Sequence, residues 1–536
     1  MPFPIRPLLG LVVLFSTCLL TSATVPATQD LAGTWRFKLD PADLGLSAAW
    51  QSTRLPDSIR IPGTLTAQGY GDKVSMRSAW TGDLKAIWTQ DPYYKQFQSD
   101  ANFRIPFWLQ PERLYTGAAW YQREIEIPAA WTGRPIRLFI ERPHWETHLW
   151  IDDIDLGRCD RLGTPHEYDL GRQLTAGTHR LTLRIDNRMI VNVGPNSHSV
   201  SDHTQGNWNG MVGRVELRAL SPVHVSDARV FATLADGRVR AEVSLDGVSA
   251  GKLQASLRYV GPLRIAEPEE KCDVAFKEGK ALVEFNLGER ARAWDEFTPN
   301  LYTLTLQPEG SDPYEVRFGF RDLGKDGAKL MINGHRLFLR GTLECAIFPI
   351  EGHPATDLES WRRIVRICKA HGLNHIRFHS WCPPEAAFIA ADELGFYYQV
   401  EASSWANQGA EIGSGRRLDA WMEAESADIM RRNGNHPSFV LFCYGNEPHG
   451  PQHKTWLANF VAQWKARDSR HLYTTGAGWP VLVGSDYHSS PDPRIQHWGA
   501  GLTSDFNAKP PTTNYDWSDF VRQHPDAPTI SHEIGQ

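Results

Sequence analysis

The stretches SFVLFCYGNEP (438–448) and APTISHEIGQ (527–536) each place a glutamate, Glu447 and Glu533, at the end of a short apolar run bounded by turn residues. Such runs read as buried strands, and their carboxylates emerge at the carboxyl-terminal tips. In a parallel α/β barrel that tip is where chemistry is assembled. The two glutamates are 86 residues apart, about three βα units of roughly 30 residues each, which assigns them to strands 4 and 7 of one barrel.

Around these strands the chain alternates strand and helix from Gly319 onward, the pattern of a parallel sheet. RLFLRGT (336–342) reads as strand 1. The following helix opens at a Thr356-x-x-Glu359 capping box, with Gly372 placed for its carboxyl-terminal cap. LNHIRFHS is strand 2. Pro384 starts the helix EAAFIAADEL and Gly395 ends it. FYYQVE is strand 3, LDAWMEAESADIMRR the third helix, HLYTTGA strand 5, VLVGSDYH strand 6 and PTISHE strand 7. On this reading the barrel, residues 321–536, lacks strand 8, so the chain reads as truncated.

Upstream the pattern is β-rich. Residues 28–220 hold many short alternating runs, such as WYQREIEI and HRLTLRID, and read as a jelly roll or β-sandwich. An aromatic insertion at 73–118 carries Trp80, Trp88, Tyr93, Tyr94, Phe97, Phe103, Phe107 and Trp108. Most of these rings are expected to fill the insertion's own small core. Residues 221–320 give six or seven strands in about 100 residues, the pattern of an immunoglobulin-like sandwich.

At 536 residues the chain needs several cores. Its net charge of −6 and lack of a dense basic run argue against nucleic acid as a partner. Residues 1–23, with one Arg, an apolar stretch over 8–20 and small residues Thr21 to Ala23, read as a signal peptide. The expectation is a secreted, periplasmic protein with no membrane span after cleavage. The six later cysteines show no CxxC spacing and read as buried thiols.

Two carboxylates facing each other at a barrel mouth suit glycoside hydrolysis: one protonates the leaving oxygen, and the other, about 5 Å away in a retaining enzyme, attacks the anomeric carbon. The pattern alone leaves open which does which. The acid has to stay protonated near neutral pH, which burial beside a second negative charge can achieve. Strand parity sets His375, Arg377 and His379 on one face, and Arg377 could orient a carboxylate through paired donors. Trp381, Trp405, Tyr487 and Trp498 are candidate platforms for a sugar face. His203 and Trp208, in DHTQGNWNG, sit on a loop able to reach the mouth. Glu401 is a lesser candidate acid. Histidines 371, 375 and 379 fall on different elements, so no metal set is read.

GNHPSFVLFCYGNEP, together with LRGT, GLNHIRFHSW, GFYYQVE, SHEIG and the upstream LAGTWRF, AAWYQRE and WNGMVGRVEL, resembles glycoside hydrolase family 2 over the whole mature chain. The resemblance implies Glu447 as acid/base, Glu533 as nucleophile, and Asn446 as a partner of the sugar 2-hydroxyl. It also supports Arg377 as a site residue. FHSW departs from the x-Ser-His-Tyr common in the family, and His379 is expected to serve one residue earlier. Arg340-Gly341-Thr342-Leu343-Glu344 departs where members carry Asn and His, so no metal is inferred, and no organic cofactor is implied. The expected activity is a retaining exo-β-glycosidase of β-galactosidase type acting on a carbohydrate substrate. The alternatives are β-glucuronidase, β-mannosidase or α-L-arabinopyranosidase specificity, or an inactive carbohydrate-binding protein. Oligomeric state is not legible.

Overall fold

The computed structural model describes residues 27–534 apart from 82–89, 91, 106–108, 110, 173, 205, 264–266 and 491–517. The expected signal peptide, Trp88, Phe107, Trp108 and Trp498 lie outside the described residues. The fold is β-rich and has several cores.

The amino-terminal unit packs two antiparallel sheets face to face. One has its strands in the order Thr28–Asp30, Gly210–Ala219, Ile136–His144, His166–Gly171. The other runs Ile154–Cys159, Glu146–Ile151, Gly177–Asp186, Ala118–Ile127, Gly33–Asp40, Asp57–Ile61. Alternation along each strand sends Phe37, Tyr121, Leu138, Leu149, Leu183 and Leu217 into one shared core. In the aromatic insertion, Phe103 and Ile105 gather Val74, Met76, Trp80, Tyr94 and Phe97 into a small separate core, as the composition predicts.

The next unit is a seven-stranded antiparallel array between His224 and Phe318. It folds into two layers because its halves join only through the Lys277↔Lys280 hairpin pair. Its strand Glu270–Lys277 was not read from the sequence. EKCDVAFK exposes charge on one face and only partly buries the other, so its apolar signal is weak.

The third unit begins with a three-stranded antiparallel sheet, Leu323–Asp326, Lys329–Ile332 and His335–Leu337. Here the sequence reading is corrected. RLFLRGT is two pieces: its first half closes this small sheet, and the first parallel strand, β1, is Gly341–Glu344. There follow α1 (Leu358–Ala370), β2 (His375–Phe378), α2 (Glu385–Leu394), β3 (Tyr397–Glu401), α3 (Arg417–Asn433), β4 (Phe439–Cys443), α4 (His453–Arg467) and β5 (Leu472–Thr474). Strands β1 to β5 pair in sequence order, all parallel. The ladder continues as β6 (His488–Ser490) and β7 (Thr529–Ser531), with α5 (Ser518–Gln523) between them, but these two strands pair only with each other among the described residues.

Two further corrections are local. The cap of α1 is Asp357, whose carboxylate accepts the Ser360 N–H at 2.8 Å, in place of the expected Thr356–Glu359 box. Asp is at least as good an N-cap as Thr, so the helix starts one residue later. VLVGSDYH is mostly turn, and β6 starts at its last residue because Gly484, at φ +99°, bends the run. By contrast α2 spans the predicted residues, from Pro384 to a left-handed Gly395. The six described cysteines are all free thiols.

The amino-terminal unit docks on the parallel unit through buried polar contacts. Glu425 of α3 accepts the Leu162 and Gly163 N–H groups at 3.2 and 2.6 Å, and Arg142 donates to the Leu162 and Cys382 carbonyls at 2.8 and 2.5 Å. Burial pushes the Glu425 carboxyl up to about 7. This docking carries residues 192–199 onto the carboxyl ends of β2 and β3.

Candidate active site

The carboxylates, Arg377 and His379 come from the carboxyl ends of the parallel strands, where successive strand tips converge. Beyond β4 the backbone continues in register. Asn446 bridges Trp405 after β3 and Ala477 after β5, and the Glu447 N–H donates to the Ala477 carbonyl at 2.9 Å. These bonds hold Glu447 at φ +35°, a region that costs a non-glycine residue free energy and persists only where its neighbours enforce it.

Arg377 of β2 organises the floor. Its Nε donates to Glu401 Oε1 at 2.6 Å, one Nη to Asn446 Oδ1 at 2.6 Å, and the other to the His532 carbonyl at 3.1 Å and Glu533 Oε1 at 3.3 Å. A planar guanidinium can serve these directions at once, and an ammonium cannot. Glu401, the lesser candidate acid, is fully buried as this arginine's counter-charge and also accepts the Ser380 N–H at 2.7 Å.

Glu533 lies at the end of β7 with its side chain 4% exposed. Burial alone would raise its pKa. His379 at 3.4 Å, Arg377 at 3.3 Å and His532 outweigh burial and hold the carboxyl well below the usual carboxylate range. It is therefore an anion, as a nucleophile has to be.

Glu447 faces it. One carboxylate oxygen of each glutamate and a ring nitrogen of His532 lie within 4.8 Å of one another. Burial and the Glu533 charge push Glu447 up, yet His532 at 3.6 Å and the Trp405 indole N–H, donated at 2.9 Å, bring it below its ordinary value. This corrects the expectation of a raised acid: two donors on the anion outweigh desolvation. A cation would find this corner already occupied by the Arg377 charge.

The other residues read from the sequence divide clearly. His379 is brought to Glu533, its Nδ1 toward Ser380 Oγ at 3.1 Å. Trp405 is brought to Glu447, as a hydrogen-bond donor. Trp381 is 3% exposed, donates its indole N–H to the Glu344 carbonyl at 3.1 Å, and packs edge-on against Phe348 and Phe378, so it offers no open face. Tyr487 is fully buried in a core with Tyr397 and Leu441, beneath the mouth. His375, despite sharing parity with Arg377, packs against Gly341.

The loop from the amino-terminal unit does reach the mouth. Val193 accepts the Trp405 N–H at 2.9 Å, and the His198 N–H donates to Ser380 Oγ at 2.9 Å. Gly194, at φ +96°, permits this: a Cβ there would sit 2.1 Å from the Trp405 carbonyl. His203 lies behind, its ring 5.1 Å from that of His198, while Trp208 stacks on His144 away from the carboxylates.

Sequence reasoning missed His198, whose ring lies 4.5 Å from that of His379, and His532. Alternation assigns His532 the face opposite Glu533, but β7 ends at Ser531, and past the strand both side chains turn inward.

Residues 223–321 match the family model of Glycosyl hydrolases family 2. That stretch, the second β-unit, is where the chain is similar to the family. It is 26% identical over 513 residues to a β-galactosidase of Aeromonas hydrophila, covering 88% of this chain and 46% of that protein. It is 25% identical to β-galactosidase 2 of Enterobacter cloacae, covering 82% and 42%. The chain thus spans under half the length of these curated relatives. A solved structure of a β-glucuronidase from Ruminococcus gnavus, in complex with uronic deoxynojirimycin, superposes with a TM-score of 0.69 at 18% identity, over 94% of this chain and 82% of that one. That likeness is one of fold.

Proposed function

We propose that this glycoside hydrolase family 2 relative is a retaining exo-β-glycosidase of β-galactosidase type, acting on terminal sugars by double displacement. The observation that carries the reading is the carboxylate pair, with oxygens within 4.8 Å. Retention needs about 5 Å between the carboxyls, whereas inversion needs roughly 6.5–9.5 Å to admit a water. Glu533, anionic beside Arg377 and His379, attacks the anomeric carbon. Glu447 handles the proton of the leaving oxygen and later that of the attacking water.

Asn446 supports the same reading. Arg377 fixes its Oδ1, leaving the Nδ2 donor buried with no partner among the described residues. A buried unsatisfied donor is costly, and a sugar hydroxyl beside Glu447 would satisfy it. We read the three units as a jelly roll (28–220), an immunoglobulin-like sandwich (221–320) and a TIM barrel (321–536), seven of whose strands are described, in an exported, periplasmic protein. Among the described residues no helix is long and apolar enough to cross a membrane. The galactosidase preference draws on the relatives' names.

The test is a 2-deoxy-2-fluoro β-galactoside with a dinitrophenyl leaving group. It should leave one fluorosugar mass on the peptide containing Glu533, and a label elsewhere, or none with any glycone, would refute the reading. Glu447→Ala should slow 4-nitrophenyl and alkyl glycosides by about 10²–10⁴-fold, yet barely slow formation of the intermediate from dinitrophenyl glycosides, which leave unprotonated. Equal loss with both would remove Glu447 from the acid role.

A further inference from the structure

His532 is placed as neither a packing residue nor a simple ligand of one carboxylate. Its side chain is fully buried. Its backbone N–H and its Nδ1 both face the Ser490 carbonyl at 3.2 Å, across the β6–β7 ladder. A carbonyl only accepts, so Nδ1 carries hydrogen and the tautomer is fixed. The ring's other nitrogen, Nε2, then points at Glu447 Oε1 and Glu533 Oε1, 3.6 Å from each. Gly478 makes this approach possible: a Cβ there would lie 3.1 Å from Nε2 and 3.3 Å from Glu447 Cγ.

We infer that His532 and Glu447 together hold the single proton of the acid step, as a buried dyad that relays it between imidazole and carboxylate. The inference rests on the glycosidase reading. A neutral imidazole with Nδ1–H on Ser490 would aim a lone pair at two carboxylates, an arrangement that is favourable only if Nε2 or Glu447 carries a proton. Glu533 is the weaker partner for it, because the Arg377 guanidinium and His379 also face Glu533. Glu401, the remaining carboxylate of the floor, is committed to Arg377.

The step balances. In the first displacement a Glu533 oxygen forms a bond to the anomeric carbon as the glycosidic C–O bond breaks. The dyad's one proton passes from His532 Nε2–H through Glu447 to the leaving oxygen, so the ring becomes neutral and Glu447 is again a carboxylate. Glu533 loses its charge to the ester as His532 loses its own, so the net charge of the three groups is unchanged. In the second displacement water gives its proton through Glu447 to Nε2, its oxygen bonds to the anomeric carbon, and the ester bond breaks to return the Glu533 carboxylate. The Trp405 and His532 groups that lower Glu447 agree with a carboxylate that is anionic at rest.

The experiment compares the wild-type chain with His532→Gln, and with His532→Asn should the first not fold, using 4-nitrophenyl and 2,4-dinitrophenyl β-galactosides across pH. The relay predicts a loss of roughly 10–100-fold in kcat/KM for the 4-nitrophenyl substrate, with the alkaline limb of its pH profile moved down by about one unit or more. Labelling of Glu533 by the dinitrophenyl fluorosugar should persist at near wild-type rate, which also reports a folded site. Equal losses for both leaving groups, an unmoved alkaline limb, or failure of both variants to label would each overturn the relay while wild-type activity stands. A wild-type chain inactive on all aryl β-glycosides would instead overturn the glycosidase reading beneath it.

Discussion

Glu533→Gln is expected to lower kcat on aryl β-glycosides by roughly four orders of magnitude or more, because the amide oxygen has no charge with which to attack the anomeric carbon. The loss should be equally large for dinitrophenyl and alkyl leaving groups, unlike that of Glu447→Ala. The fold should survive: Arg377 keeps Glu401 and Asn446 as partners, and Gln preserves the volume beside His379. Steady-state rates, with mass spectrometry to exclude wild-type contamination or deamidation, are the measurement. A variant within about tenfold of wild type would mean that Glu533 is not the nucleophile.

The second large effect is on stability. Arg377→Met strands two buried carboxylates, Glu401 at 2.6 Å and Glu533 at 3.3 Å from the present guanidinium. Removing one partner of such a network costs on the order of 3–5 kcal/mol. In the wild type Glu533 has a folded pKa depressed well below the ordinary glutamate value of 4.5. Its contribution to stability is therefore fully present above that value and is lost only as pH falls through the depressed one. In the variant the guanidinium no longer joins His379 and His532 in offsetting burial, so the depression of Glu533 weakens; protonation then relieves a buried carboxylate stranded without its arginine, and the deficit should shrink as pH falls. Urea unfolding of both chains at pH 7 and pH 5 should show the larger gap at pH 7. Equal gaps, or a gap under about 1 kcal/mol at pH 7, would mean that the arginine is not the counter-charge. Arg377→Lys should recover only part, since a point charge cannot reach Glu401, Asn446 and Glu533 together.

Local signals made most of the parallel unit legible. The boundaries of α2 follow from Pro384 and Gly395, whose backbone preferences do not depend on context. The core of β4 follows from an apolar run with no polar face, and that of β3 from its Phe396–Tyr398 and Val400 apolar positions around Gln399 and Glu401. Reading was poorer where two short elements share one apolar run, as in RLFLRGT, because hydropathy does not record which sheet a strand joins. The 73–118 insertion was legible as a satellite core because its rings are dense in sequence.

By itself the sequence marked the candidate residues and the strand tip that bears each: Glu447, Glu533 and Arg377 sit at strand ends because apolar periodicity and turns delimit the strands. Tertiary structure decided everything that depends on distance and shared surroundings. Only the folded chain buries Trp381 and Tyr487, which look identical in sequence to ring platforms, because exposure is set by neighbours far away in the chain. It alone lowers Glu447, through a tryptophan 42 positions earlier and a histidine from another strand, and brings His198 across from the amino-terminal unit. Hydrogen bonds and ion pairs act over a few ångströms, and which groups come that close is fixed by the packing of strands and loops rather than by their order along the chain.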